Sequence, residues 1–223
     1  MTRANPHSAR ALLVVQLGAT LAILAWLPGN LAKLAALLAL WLATFWPLRL
    51  AEVVFFLCVS AFFTFMNAMS LGQGIFAFTS PDILRMPWYE LPMWGFYTLH
   101  TRRMLGGEPP PVTRSAWVLA FAYAAAFGAI ADADILLAIT GTLLVVGLVL
   151  FHTRHDLLYT GYMIGLGALI EYTGVYSGEW FYPGDPPGGV PLWFITLWGG
   201  VGLFLWRLAL PLLRRFGATP ATT

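Results

Sequence analysis

Long unbroken apolar runs, separated by short polar or Pro- and Gly-containing breaks, make up nearly the whole chain. Apolar and polar residues do not alternate within these runs, so half-buried strands are not the expectation. Eight runs predict helices, at about 11–27, 31–46, 51–72, 87–104, 115–131, 135–151, 156–176 and 191–213. Several are close to the ~17 residues that crossing a bilayer's hydrocarbon requires. The second run is the shortest. If the first two formed a re-entrant pair, six spans would remain, with the same orientation at the C-terminus.

Composition turns these helices into membrane spans. The chain is 59% hydrophobic and 10% charged, with a mean hydropathy of +0.76. A soluble domain carries about 25% charged residues. Lipid is therefore the expected solvent, where every backbone polar group must be paired internally and helices satisfy that condition. The predicted fold is all-α: a polytopic transmembrane bundle in one domain, 1–223, with a short N-terminal segment 1–10 and a disordered tail at about 216–223. MTRANPHSAR and the apolar run after it look like a signal peptide, but no small-x-small cleavage site follows. An uncleaved first span is the expectation.

Charge orients the bundle. With the N-terminus inside, Arg3, Arg10, Arg49, Arg102, Arg103, Arg114, Arg154, Arg207, Arg214 and Arg215 fall on the inner side, and only Lys33 and Arg85 fall outside. This distribution predicts both ends in the cytoplasm, in a bacterial or archaeal plasma (inner) membrane. Asp82, Asp132, Asp134, Glu179 and Asp185 make the outer side acidic. Its loops 73–86 and 177–190 are rich in aromatics, Gly and Pro, whereas the inner loop GGEPPPVTR is a stiff connector. Gly161 with Gly165, and Gly174 with Gly178, are spaced for close helix approach.

The same inventory excludes several functions. A net charge of +2 with no basic face does not suit nucleic acid. The single cysteine, Cys58, forms no intramolecular disulfide and is expected to be buried as a small hydrophobe. There is no phosphate-binding Gly-rich loop, GxSxG, HExxH or Walker motif, and no cofactor is expected. The C-terminal span has no Lys for a retinal Schiff base.

Ionisable groups inside membrane spans are costly and point to function. Glu171 and Glu90 qualify. Counting ~1.5 Å per residue from the inner helix ends, Glu171 lies roughly 22 Å up, Glu90 roughly 20 Å and Asn67 about 27 Å. Groups distant in sequence then share one level, which predicts a polar pocket toward the outer face. Pro87 also makes Glu90 a first-turn acid that complements the helix dipole. Among the surrounding aromatics, Trp94, Tyr97 and Trp198 lie deepest, and Tyr172, Trp180 and Tyr182 flank the acid in sequence. An interfacial aromatic belt accounts for many such residues. The deeper ones suit a pocket wall for a flat apolar ligand or a developing cation.

A second constellation gathers His100, His152, His155 and Asp156 at inner helix ends. Imidazoles with a carboxylate can hold a metal, although His152 and His155 straddle a turn. Contact with lipid headgroups is the simpler expectation, and no metal is expected.

The stretch EYTGVYSGEWFYPG (171–184) with GVPLWF (189–194) resembles integral-membrane carotenoid hydratases acting on bisanhydrobacterioruberin-type substrates. In those enzymes an acid, spaced glycines and aromatics occur around a helix exit. The matching residues are Glu171, Gly174, Gly178, Tyr182 and Gly189 to Phe194. The resemblance covers only 171–194 and implies a lipophilic substrate.

Together these features predict an integral-membrane enzyme acting on an isoprenoid or carotenoid-like molecule, by hydration or cyclisation, a lyase or isomerase reaction. Glu171 would be the general acid and Glu90 the partner carboxylate. Asn67, Trp94, Tyr97, Tyr172, Trp180, Tyr182 and Trp198 would line the substrate site. The alternatives are a small-molecule or proton-coupled transporter, or a lipid-binding accessory subunit. The expected partners are the bilayer and a lipophilic small molecule, with an oligomer or a second protein also compatible.

Overall fold

The computed structural model describes residues 6–215, with side chains from Ser8 to Leu213. The expected tail 216–223 and residues 1–5 lie outside the described residues. The helices are α1 (Pro6–Trp26), α2 (Asn30–Phe45), α3 (Leu50–Gln73), α4 (Glu90–Leu105), α5 (Arg114–Ala129), α6 (Ala133–Leu150), α7 (Arg154–Tyr176) and α8 (Trp193–Phe204). A π-helical turn, Leu205–Ala209, carries α8 into a short α9, Leu210–Arg215. The architecture is the expected all-α one, apart from one small strand pair. α1 starts at Pro6, so part of the expected N-terminal segment 1–10 is already helical.

Four segments of the described chain are long and apolar enough to cross a membrane: Ser8–Trp26, Leu50–Gln73, Ala133–Leu150 and Pro187–Leu213. α2 is apolar but shorter, with 16 residues.

Local chemistry sets the helix ends. Thr113 Oγ1 accepts from the Ala116 N–H, and Asp132 Oδ1 accepts from the N–H groups of Asp134 and Ile135, starting α5 and α6. Thr153 and Asp156 form a reciprocal capping box on α7, the Thr153 N–H reaching Asp156 Oδ2 at 2.8 Å. Gly74, at φ 73°, closes α3 in a left-handed conformation that a side chain would strain.

Packing places the most polar helix at the centre. On α4, Glu90 and every residue from Met93 to Thr101 are buried. α3 packs along it, and α7 packs most extensively on α8. The apolar helices present hydrophobic side chains outward, such as Leu57, Phe62 and Phe65 on α3 and Val145 and Val149 on α6. Cys58 lies on this outward face of α3, exposed rather than buried as expected. A bundle with its polar groups inside and its apolar groups outside is what a lipid solvent selects.

The helix ends segregate. At one end, Asn30 Nδ2 donates to Ser80 O and Asp82 Oδ2, and Thr79 Oγ1 donates to Gly178 O. Here the two aromatic-rich loops join as antiparallel strands, β1 (Ala77–Phe78) and β2 (Trp180–Phe181), with Ala77 opposite Phe181 and Phe78 opposite Trp180. At the other end, Glu52 meets Arg102 and Arg103, and Asp156 pairs with Arg207.

The α7–α8 crossing depends on Gly202. A Cβ there would sit 2.3 Å from the Tyr159 carbonyl oxygen, a backbone atom that cannot move aside. Gly202→Ala is expected to lower stability by about 1–3 kcal/mol, read by thermal unfolding in detergent. An unchanged melting temperature would contradict this crossing.

Candidate functional site

One face of α7 presents Gly167, Glu171 and Gly174, four and then three residues apart, as successive helical turns require. The two glycines are seats for indoles. A Cβ at Gly167 would lie 2.2 Å from the Trp198 ring, and one at Gly174 would lie 2.0 Å from the Trp180 ring. Because the rings lie on bare backbone, both indole N–H groups reach the acid between them. Trp198 Nε1 donates to Glu171 Oε1 at 3.0 Å, and Trp180 Nε1 donates to Oε2 at 3.1 Å. The Tyr182 hydroxyl donates to Oε2 at 2.6 Å. Burial, and next the Glu171 charge, push the Tyr182 phenol far above the ordinary tyrosine range, so it remains a donor.

Glu90, the first residue of α4, faces the same interior. It is 9% exposed and Glu171 7%. Asn67 Nδ2, on α3, donates to Glu90 Oε1 at 2.9 Å. The Glu171 charge reaches Glu90, and the charges of both acids reach Tyr97. The Tyr97 hydroxyl is buried with no hydrogen-bond partner. Aromatic rings wall this layer. Phe63 stacks on Trp94 at 4.1 Å, Trp94 stacks on Trp198 at 4.5 Å, and the Tyr97 ring lies 5.7 Å from Trp198. The stack joins α3, α4 and α8.

Thus Glu90, Glu171, Asn67, Trp94, Tyr97, Trp180, Tyr182 and Trp198 come together. Tyr172 does not join them. It follows Glu171 on the helix and points elsewhere, stacking on Tyr176 at 5.8 Å. It lines a groove of about 660 Å³ between α1 and α7, with Ala25, Trp26, Gly165 and Thr173. Gly161 and Gly165 have open space where a Cβ would go, so among the described residues they seat no neighbouring helix.

The inner-end constellation is dispersed. His100 is held between Gln16 Oε1, at 2.8 Å from Nδ1, and the Tyr162 hydroxyl, at 2.6 Å from Nε2. His152 is exposed, and His155 stacks flat on Trp206 at 4.7 Å. Asp156 caps α7 and accepts from both Nε and an outer nitrogen of Arg207. Each member serves a neighbour within the fold, and no three metal-ligating side chains converge among the described residues.

Sequence reasoning missed one flank of the acid layer. The Tyr89 hydroxyl donates to Glu179 Oε2 at 2.7 Å, and Lys33 forms an ion pair with Glu179 while lying 5.5 Å over the Tyr89 ring. Lys33 is four-hundredths exposed despite its charge, at 4%. Tyr89 directly precedes Glu90, and Lys33 and Glu179 were expected on one side of the bundle, but nothing local showed that they would meet.

No protein-family model matches the chain, and no curated protein matches it. Among solved structures, a crystal structure of a cross-linked trimer of an MvINS cysteine variant is similar, with a TM-score of 0.63 and 18% identity. The similarity covers 76% of this chain and 98% of that one. At this identity the likeness is one of fold.

The seating of the indoles yields a contrast within one helix. Gly174→Ala should cost about 1–3 kcal/mol by displacing Trp180. Gly161→Ala, in open space, should be neutral or stabilising by up to about 1 kcal/mol through helix propensity. Thermal unfolding of both variants checks this, and equal effects would contradict the indole seat.

Proposed function

We propose that the chain is an integral-membrane enzyme that takes up a lipophilic, isoprenoid-like molecule and acts on it by proton transfer from a carboxylic acid. In this reading all eight long helical segments cross the bilayer, with both ends of the chain in the cytoplasm, as the distribution of arginines favours. The observation that carries it is the meeting of Glu90 and Glu171, from separate helices, in one buried aromatic layer beside an unpartnered Tyr97 hydroxyl.

In this reading Glu90 and Glu171 exchange the roles expected from sequence. Glu171 accepts from three donors, as an ionised carboxylate does. Two carboxyl groups in one poorly hydrated layer hold one proton between them. That proton then belongs to Glu90, which is the donor in this mechanism. Transfer breaks the Glu90 O–H bond and forms a C–H bond at one alkene carbon. The cation left on the other carbon lies among the rings of Trp94 and Trp198 and near the Glu171 charge. Addition of water, with its surplus proton returned to Glu90, completes a hydration. Attack by a second alkene of the same molecule, with a proton then lost to Glu90, completes a cyclisation.

A second reading is a lipid-binding or accessory subunit that works as an oligomer. The groove between α1 and α7 favours it, as does the trimeric state of the structurally similar protein. Glu171 would then serve to fasten the outer loop to the bundle.

Mass spectrometry of lipophilic extracts from cells expressing the protein separates the two. The enzyme reading predicts an isoprenoid that gains the mass of water, or changes retention at constant mass. Glu90→Gln should lower that conversion by about 100-fold or more. Undiminished conversion by Glu90→Gln contradicts the mechanism, and a copurified lipid that is never converted favours the subunit.

A further inference from the structure

Two cavities adjoin at the C-terminal end of α1. One is the groove between α1 and α7, of about 660 Å³, with Ala25, Ala168 and Leu169 in its lining. The other holds about 380 Å³ and is polar, lined among others by Asn30, Lys33, Thr79, Ser80, Tyr89 and Glu179. Ala25 and Trp26 line both, and the chain leaving α7 passes from Ser177 in the first to Gly178 in the second. Each volume lies in the ~300–1,000 Å³ range of small-molecule sites. A ligand lying across both would need an apolar length and a polar head.

The polar cavity fixes the chemistry of that head. Lys33 and Glu179 are the charged residues in its lining, and they pair with each other. Glu179 Oε2 also accepts from the Tyr89 hydroxyl at 2.7 Å. An ammonium has three hydrogens to donate. Among the described residues only Glu179 accepts from Lys33, which is buried. Buried donors left over call for a further acceptor. Asn30, one turn before Lys33 on α2, gives Nδ2 to Ser80 O and Asp82 Oδ2, so its carbonyl oxygen remains free to accept. Beside a closed ion pair, an anionic head would meet Glu179 and a cationic head would meet Lys33. An uncharged hydroxyl accepts from the ammonium and donates to an amide oxygen without either cost.

We propose that the two cavities together bind a single-chain lipid alcohol, its hydroxyl between Lys33 and Asn30 and its hydrocarbon chain between α1 and α7. Gly165, with open space where a Cβ would go, leaves room for that chain. A helix of a second copy would fill the groove but leave the ammonium without its acceptor. The site lies on a different face of α7 from Glu171 and does not depend on the proton-transfer reading.

The test uses the full chain in a zwitterionic detergent, lauryldimethylamine oxide, at about pH 8, where a carboxylic acid is ionised and an alkylamine protonated. Native mass spectrometry compares oleyl alcohol with oleate and oleylamine, three heads on one chain, and reads the oligomeric state at the same time. Oleyl alcohol should bind about tenfold more tightly than either ion, the scale of one hydrogen bond to a charged group. Glu179→Gln leaves Lys33 unpaired and should move the preference to oleate. Lys33→Met leaves Glu179 unpaired and should move it to oleylamine. Gly165→Leu fills the open space and should abolish binding of all three, and it serves if the charge variants do not fold. No binding of oleyl alcohol, an ion preferred by the unaltered protein, a preference unmoved in the folded charge variants, or binding that survives in folded Gly165→Leu would overturn the proposal. An oligomer that binds no alcohol and that Gly165→Leu dissociates would give the groove to a second copy, and would overturn it as well.

Discussion

The carboxylate of Glu171, buried and held by three donors from outside its own helix, is the constraint on which its end of the bundle depends. A buried carboxylate without partners is among the most expensive features a fold can contain. Its donors come from α8, through Trp198, and from the loop after α7, through Trp180 and Tyr182. Each donor fixes an element. Trp198 sets how α8 lies on α7, while Trp180 and Tyr182 fold the loop back over the helix that precedes it. The glycines at 167 and 174 follow from the same demand, since a methyl group at either would push an indole off the acid. Trp180 then pairs with Phe78 in the small strand pair, which ties the two aromatic-rich loops together.

The remaining polar groups are arranged by the same economy of interior hydrogen bonds. Trp41 and Gln16 both donate to Thr20, and Gln16 bonds His100, which bonds Tyr162, so one chain of contacts links α1, α2, α4 and α7. Asp156 and Arg207 form a buried pair where α8 relaxes into a π turn. Such turns inside α-helices are frequent at functional positions, and here the turn carries the arginine that meets the α7 cap. The Tyr97 hydroxyl is one of five buried polar atoms without a partner among the described residues, and it is the one that the charges of both Glu90 and Glu171 reach.

The helices were legible because long apolar runs broken by short polar, Gly or Pro segments mark their ends directly. Apart from the start of α1, and with α8 followed through its π turn to the end of α9, every predicted end falls within three residues of the observed one. The common level of Glu90, Glu171 and Asn67 was also legible, since helical rise converts residue number into height. Direction around the helix axis was not. Tyr172 adjoins Glu171 in sequence, but the next residue on a helix points about 100° away. Gly161 and Gly165 show the same limit: their spacing implied close packing, yet a Cβ at either would meet open space, and Gly165 lines a groove. Cys58 shows another. In a soluble protein an apolar run is buried, whereas here the outward face of α3 is the apolar one. The histidine constellation failed for a third reason. Residues close to one end of the bundle were grouped by height alone, while Asp156 was already committed to Arg207, fifty-one residues away. No local pattern announces such a partner.

The clearest test of the acid's organising role is the indole N–H resonances of Trp180 and Trp198, assigned by single Trp→Phe replacements in isotopically labelled protein. Strong hydrogen bonds to one carboxylate should place both downfield, and Glu171→Leu should move both upfield together. Resonances that stay in place in that variant, or that move one without the other, would contradict a shared carboxylate at the centre of the layer.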